Sequence, residues 1–159
     1  MTLIKIRTAI LEDLNMLLRF EQGVIAAERP YDSTLKEGII HYYDLPSMIA
    51  SPDILLVVSE IDGFLVGCGY ARIETAKHYL NHSFHAYLGF MYVDPLHRGK
   101  GINGQIIEEL RNWAISRGVF ELKLDVYPGN EHAIKAYEKI GFKRYMVQMR
   151  LGSPNNSKD

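Results

Sequence analysis

The 159-residue sequence has one cysteine, Cys68, so no internal disulfide can staple the fold and a buried core must hold it. It also lacks an excess of either charge. Lys and Arg number 18 against 19 Asp and Glu, a net of −1, which excludes a chain held mainly by nucleic-acid phosphates and confines any polyanion to a local patch. No apolar run approaches the roughly 18 residues that a membrane span needs. Residues Met1 to Arg7 carry neither the apolar stretch nor the small-residue cleavage site of a secretory signal. These absences predict a cytoplasmic chain with no membrane or nucleic-acid partner. There is no internal repeat and no Ser/His/Asp pattern. His78, His82 and His85 lie close in sequence, but no cysteine or acid completes a metal-ligand spacing, so no metal is expected.

What is present is enough apolar material, 47 % of residues, for one domain, expected over 1–151 with a mobile tail at 152–159. Residues 2–7 alternate as a short strand. Thr8 is placed to cap a helix from about Ala9 to Glu28, where Ile10, Leu14, Leu17, Leu18 and Ile25 recur at helical spacing before Pro30. A second helix is expected from Asp32 or Ser33 to about Tyr43. The runs Ile54 to Ser59 and Phe64 to Ile73, joined by Asp62-Gly63, read as a hairpin. A further strand ends at Val93, stopped by Asp94-Pro95. Ile106, Ile107, Leu110, Trp113 and Ala114 mark an amphipathic helix ended by Gly118. Phe120 to Val126 alternates as a strand with one buried face. A short helix follows from Asn130 to Lys139, and a last strand is expected over Phe142 to Leu151. This order predicts an α/β fold with a mixed sheet and packed helices, and no regular βαβ array. Cys68, without a base partner, reads as a small core residue, and His97 as loop packing.

Arg98-Gly99-Lys100-Gly101-Ile102-Asn103-Gly104 lies between a strand and a helix. Unpaired amides at a helix start, the positive end of its dipole and two cations together suit a phosphate group, and the glycines allow positive φ and close backbone approach. Two readings follow. Gly99, Gly101 and Gly104 satisfy G-x-G-x-x-G with Asp125 about 20 residues on, as in a dinucleotide site. Against this, five residues separate the strand from the first glycine, Asp125 sits in an alternating strand, and 55 residues after Gly104 are too few to finish a doubly wound sheet.

The second reading rests on resemblance. Met91-Tyr92-Val93-Asp94-Pro95-Leu96-His97-Arg98-Gly99-Lys100-Gly101-Ile102-Asn103-Gly104 resembles the acetyl-CoA signature of the GNAT superfamily of N-acetyltransferases, a strand ending V-x-P followed by R/Q-x-x-G-x-G/A. Arg98 and Gly101 match, and Asn103 stands where the family has Gly or Ala. Asn130, Ala133, Tyr137, Gly141 and Phe142 spell the family's second motif, N-x-x-A-x-x-x-Y-x-x-x-G-F, and Ile6-Arg7-Thr8-Ala9 is typical of its first strand. The resemblance implies a mostly antiparallel twisted sheet that splays after residue 91, with helices on both faces. It implies acetyl-CoA as co-substrate and a small-molecule or peptide amine as acceptor, in a monomer or homodimer.

The same resemblance assigns roles. The diphosphate would lie on the amides of Gly99, Lys100, Gly101, Ile102, Asn103 and Gly104, supported by the side chains of Arg98 and Lys100. The pantetheine arm would pair with the backbone of Met91, Tyr92 and Val93, and Asn130 would hydrogen-bond the arm. Tyr137 would be the general acid that protonates the leaving thiolate, although Ala133, Ile134, Tyr137 and Ile140 also form an ordinary apolar helix face. Many family members carry a base glutamate on the strand before the signature. Here that strand has no acid, which leaves His85, Tyr87, Glu28 or a chain of waters. Arg29, Tyr31, Tyr70, Tyr87 and Arg72 are candidates for the acceptor side. A non-catalytic acyl-CoA-binding module on the same fold is the alternative of a different class, and a dinucleotide oxidoreductase is third.

Overall fold

The apolar alternation at the start of the chain forms β1 (Ile4–Thr8), antiparallel to β2 (Ile54–Ile61). β2 turns into β3 (Phe64–Thr75) through Asp62-Gly63, both at positive φ (52° and 82°), the backbone a two-residue hairpin requires. β4 (Phe84–Val93) is antiparallel to β3, and the chain returns through α3 (Ile102–Ser116) to β5 (Leu122–Leu124), parallel to β4. The computed structural model describes residues 3–152, and its five-stranded sheet runs in the order β1-β2-β3-β4-β5.

Alternation along the strands divides the core between two faces. On one, α1 (Leu14–Glu28) and α2 (Leu45–Ala50) bury Leu17, Phe20, Leu45 and Met48 against Leu56, Val58, Cys68, Tyr70 and Phe90. On the other, Ile102, Ile106, Ile107, Leu110 and Ala114 of α3 pack on Val57, Val66, Ala71, Ala86 and Leu88, and Tyr137 of α4 (Glu131–Ile140) borders that cluster. The mixed sheet with helices on both faces, expected from the sequence, is therefore observed. Among the described residues no helix is long and apolar enough to cross a membrane, and no group of three or more His, Cys, Asp or Glu could hold a metal ion.

The expected helix over 33–43 is absent, because tertiary partners take its backbone groups. Asp32 Oδ1 accepts from the Thr34 amide, Arg29 donates to the carbonyls of Lys36 and Gly38, and buried Glu21 accepts from the amides of Tyr42 and Tyr43. The helix forms instead at Leu45–Ala50, capped by Asp44 with Pro46 in its first turn. Thr8 belongs to β1 and caps nothing. Asp13 accepts from the Ile10 amide at the start of a 3-10 turn, Leu11–Asp13, that leads into α1.

The strand expected over Phe120 to Val126 shrinks to Leu122–Leu124, and Phe120 is exposed. The last strand expected over Phe142 to Leu151 does not form, and Tyr145, Met146, Val147, Met149 and Leu151 are exposed. Alternation describes a residue's fit to a pleated surface but needs an adjacent edge to pair with, and β5 has only three paired residues. The segment is tied by side chains instead: Arg150 to Thr34 and Asp32, and Lys123 over the Tyr145 ring. Of the expected tail, residues 153–159 lie outside the described residues.

Candidate active site

β4 and β5 are paired only from Ala86↔Leu122 to Leu88↔Leu124. From Gly89 to Val93, β4 therefore presents an open edge, and the opening expected after residue 91 begins three residues earlier, after Leu88. Which residues offer their backbone to that edge is decided by a bulge. Between Cys68↔Tyr92 and Tyr70↔Gly89 the strand β4 carries one residue more than β3, and Phe90 takes φ 53°, a conformation uncommon for a bulky side chain. Ahead of the bulge the even-numbered residues face β5, as the Ala86 amide does in donating to the Glu121 carbonyl. Beyond it the parity reverses, and Asp94 donates back to Val66 of β3. Met91 and Val93 thus turn their backbone groups outward, whereas Tyr92 turns its own toward β3. Phe90 is clamped by Tyr43 stacked at 4.7 Å and by Cys68 Sγ, which donates to its carbonyl at 3.4 Å. Gly23 of α1 makes room for Tyr92, whose ring lies 2.6 Å from where a side chain at 23 would begin.

The strand leads directly into the glycine loop. Asp94 accepts from the Leu96 amide at 2.9 Å and opens a 3-10 turn, Pro95–His97. Gly99 and Gly101 both adopt φ 78°, so the backbone reverses there without the Cβ clash of an L side chain. Gly101 is the residue preceding α3, and no side chain caps that helix. The first-turn amides of Ile102, Asn103 and Gly104 thus lack intrahelical acceptors. Arg98 and Lys100 are exposed beside them, and Arg98 Nε donates to the Val93 carbonyl at 3.2 Å. That bond holds the guanidinium between the open edge and the helix start. A side chain at Gly104 would meet nothing within 4 Å. The third glycine therefore lacks the close helix–strand packing that a dinucleotide site asks of it, and a sheet with a single parallel pair does not form a doubly wound frame.

Beyond β5 the chain enters α4, whose Tyr137 packs on the same core cluster as Met91 and Val93. Asn130 accepts from the Ala133 amide at 3.4 Å as its cap, which leaves its side-chain NH2 as a donor. Tyr137 is largely buried, edge-on to Phe142 at 5.8 Å. Its carbonyl accepts from the amides of Gly141 and Phe142, which close the helix. Burial, then the charge of Glu28, push its phenol up to about 12, so it is a protonated donor at neutral pH.

The chain at the end of α1 reaches over to the same place. Tyr31 stacks on Tyr127 at 6.1 Å, Tyr127 donates to Asp32 at 2.8 Å, and Gly129 lies against the Tyr31 ring. Hydrogen bonds from Thr34 first, then Tyr127, hold Asp32 down to about 2. This bridge between 29–32 and 127–130 was not read from the sequence, although Asp32-x-Thr34 is a recognisable turn signal.

Of the other residues proposed from sequence, His85 pairs with Glu74 at 2.9 Å and sits six residues before Met91, roughly 20 Å along the strand. Tyr87 donates to Asp125 at 3.2 Å, and burial, then that carboxylate, push its phenol up. Arg72 lies over the rings of Tyr70 and Tyr87 and pairs with Glu74. Tyr70 is buried in the core, and Arg29 donates to the exposed carbonyls of Lys36 and Gly38. A depression of about 540 Å³ lined by Asn81, His82, Arg117 and Phe120 lies at the far end of β4 and holds none of these groups.

Comparison with known proteins agrees with this geometry. An "IAA acetyltransferase" of Azospirillum brasilense is 31 % identical over 102 residues, covering 64 % of this chain and 62 % of that protein. The chain thus spans less than two thirds of that curated relative. A predicted acetyltransferase with acetyl-CoA from Clostridium acetobutylicum superposes with TM-score 0.71 at 18 % identity, over 94 % of this chain and 96 % of its own. A glucosamine-6-phosphate N-acetyltransferase from Arabidopsis thaliana does so with TM-score 0.71 at 20 % identity, over 94 % and 98 %. The model of the acetyltransferase (GNAT) family matches residues 18–142, which takes in the bulged strand, the glycine loop and both motifs, and the chain belongs to that family.

Proposed function

We propose that this chain is an N-acetyltransferase that moves the acetyl group of acetyl-CoA to a primary amine by direct attack. The observation that carries the reading is the outward-facing edge of β4 at Met91 and Val93, abutting an uncapped helix start. A molecule with an amide-containing arm and a diphosphate needs both together. The amides of Gly99 to Gly104, with Arg98 and Lys100, suit the diphosphate through charge-assisted hydrogen bonds. The outward groups of Met91 and Val93 suit the arm as an added strand, next to Tyr92 and with Asn130 opposite. A backbone amide at this edge also serves as the donor that polarises the thioester carbonyl as charge develops on its oxygen. Val93 becomes available when Arg98 turns to the phosphate. Tyr137 then delivers its phenolic proton to the departing thiolate.

Thiol release from acetyl-CoA, measured against spermidine, lysine, glucosamine 6-phosphate and a peptide with a free N-terminus, tests this reading. Amine-dependent release supports it, and binding without release to any amine contradicts it. Gly101→Val tests the loop. A β-branched residue at φ 78° costs about 1–2 kcal/mol and draws the backbone away from the conformation that aims its amides. Acetyl-CoA affinity measured by calorimetry should fall roughly 5- to 30-fold, with the melting temperature of the free protein moved far less than a core substitution would move it.

A further inference from the structure

We propose that Glu28, at the end of α1 where the chain bridges to the Tyr127–Gly129 loop, is the base that takes the proton from the acceptor's ammonium group. The assignment rests on the transferase reading above and goes beyond it by naming the second proton carrier.

The acids that could serve as a base differ in what already occupies them. Asp32 accepts from Thr34 and Tyr127 and faces Arg150. Asp94 holds the Leu96 amide, Asp125 accepts from Tyr87, and Glu74 is shared by Arg72 and His85. Glu21 is fully buried under three donors. Glu28 is half-buried and, among the described residues, has no ion pair. It sits at the carbonyl end of a 15-residue helix, where the dipole disfavours an anion.

The groups facing Glu28 come from three elements. Asp32, Tyr42 and Tyr43 lie on the segment after α1, Tyr127 on the loop before α4, and Tyr137 on α4 itself. Tyr42 Oη is buried and closes no well-formed hydrogen bond, and the group it interacts with is this carboxylate. Burial, and after it the charge of Asp32, raise the Glu28 carboxyl above its ordinary range, while Tyr42 opposes them. A raised carboxyl is a better proton acceptor near neutral pH than an ordinary one. The charge of Glu28 reaches Tyr137, whose ring packs on the same core cluster as Met91 and Val93 of β4, so base and acid act on one region.

The protons then balance. Glu28 takes one proton from R-NH3+, directly or through one water. The amine lone pair forms the C–N bond at the thioester carbonyl, and the C–S bond breaks. The thiolate takes the proton of Tyr137, and Tyr137 recovers one from the nitrogen as it becomes an amide. The proton on Glu28 leaves to solvent, so the net products are amide, CoA thiol and H+.

Glu28→Gln keeps the shape and removes the acceptor. With whichever amine of the panel the wild-type chain acetylates fastest, its kcat at neutral pH should fall about 10²-fold or more. The loss should shrink as pH rises and the acceptor deprotonates by itself. With hydroxylamine, already neutral at neutral pH, the variant should keep a rate within a few-fold of wild type, and acetyl-CoA affinity should be unchanged. Glu28→Asp should recover part of the loss. An equal loss with hydroxylamine and with the ammonium acceptor, or no loss with either, overturns the role of Glu28 and leaves the transferase reading standing. A wild-type chain that releases no thiol with any amine overturns the transferase reading and the base with it.

Discussion

Tyr137→Phe should lower kcat by about 10²- to 10⁴-fold, the range for loss of a positioned acid, with acetyl-CoA affinity held within about twofold. The substitution is selective because Tyr137 does two separable things. Its ring packs beside Phe142 and against the α3 face of the sheet, and phenylalanine keeps that contact. Its backbone carbonyl receives Gly141 and Phe142 whatever the side chain. Only the hydroxyl is lost. Because burial first and Glu28 second push the phenol up to about 12, the proton is present throughout the neutral range. The sign is fixed by that direction: Tyr137 loses its proton only as pH rises toward the raised value, so no decline in rate between pH 7 and 10 should trace to it. Steady-state thiol release across pH checks both points. Unchanged turnover in Tyr137→Phe, with an acceptor that wild type uses well, removes the general-acid role.

The second large effect is on stability. Glu21→Ala should destabilise the fold by about 2–5 kcal/mol, since it takes the buried acceptor from the part-buried amides of Tyr42 and Tyr43. Glu21 is 0 % exposed, and its carboxylate accepts from the Tyr42 and Tyr43 amides at 2.9 and 3.0 Å, with His41 Nδ1 at 2.7 Å. At about 2–4 °C per kcal/mol for a chain of this size, the melting midpoint should drop by roughly 4–20 °C. The consequence reaches the site, because Tyr43 stacks on bulged Phe90 and Tyr42 adjoins Glu28. Glu21→Gln, which retains a carbonyl oxygen for the two amides, should cost less. A midpoint unmoved by Glu21→Ala would mean that other contacts hold residues 40–44.

The course of these residues shows where sequence reasoning succeeds and where it stops. The amphipathic stripe of α3, the Asp62-Gly63 turn and the glycine loop carry their signals within a few residues, and each is found where its pattern predicts. The segment 33–43 carries a weaker helical pattern, and its backbone is claimed by Glu21 and Arg29 from elsewhere in the chain. No local pattern encodes that competition. Phe142 to Leu151 fails for another reason: β5 holds only three paired residues, and the segment meets it through side chains such as Lys123 over the Tyr145 ring, not through a backbone ladder.

The candidate site divides in the same way. The loop's backbone was legible because glycines at positive φ just before a helix start are a short-range signal. The bulge at Phe90, which turns Met91 and Val93 outward, has no sequence signal, because a phenylalanine in a strand predicts ordinary extended backbone. The approach of Glu28 to the α4 cluster depends on the Tyr31–Tyr127 stack and the Asp32–Tyr127 hydrogen bond across 95 residues of chain. Glu28 was visible only as one carboxylate among several until that bridge isolated it.

The most direct measurement of the central claim, that the open β4 edge and the 98–104 loop together receive acetyl-CoA, is the thermal midpoint of the wild-type chain during titration with acetyl-CoA, with NAD and buffer as controls. Binding to the folded state must stabilise it by mass action, by about 2.7 kcal/mol at one hundred times the dissociation constant, and so raise the midpoint. A saturable rise is expected with acetyl-CoA and none with NAD or buffer. No rise at millimolar acetyl-CoA, or a larger rise with NAD, would contradict it.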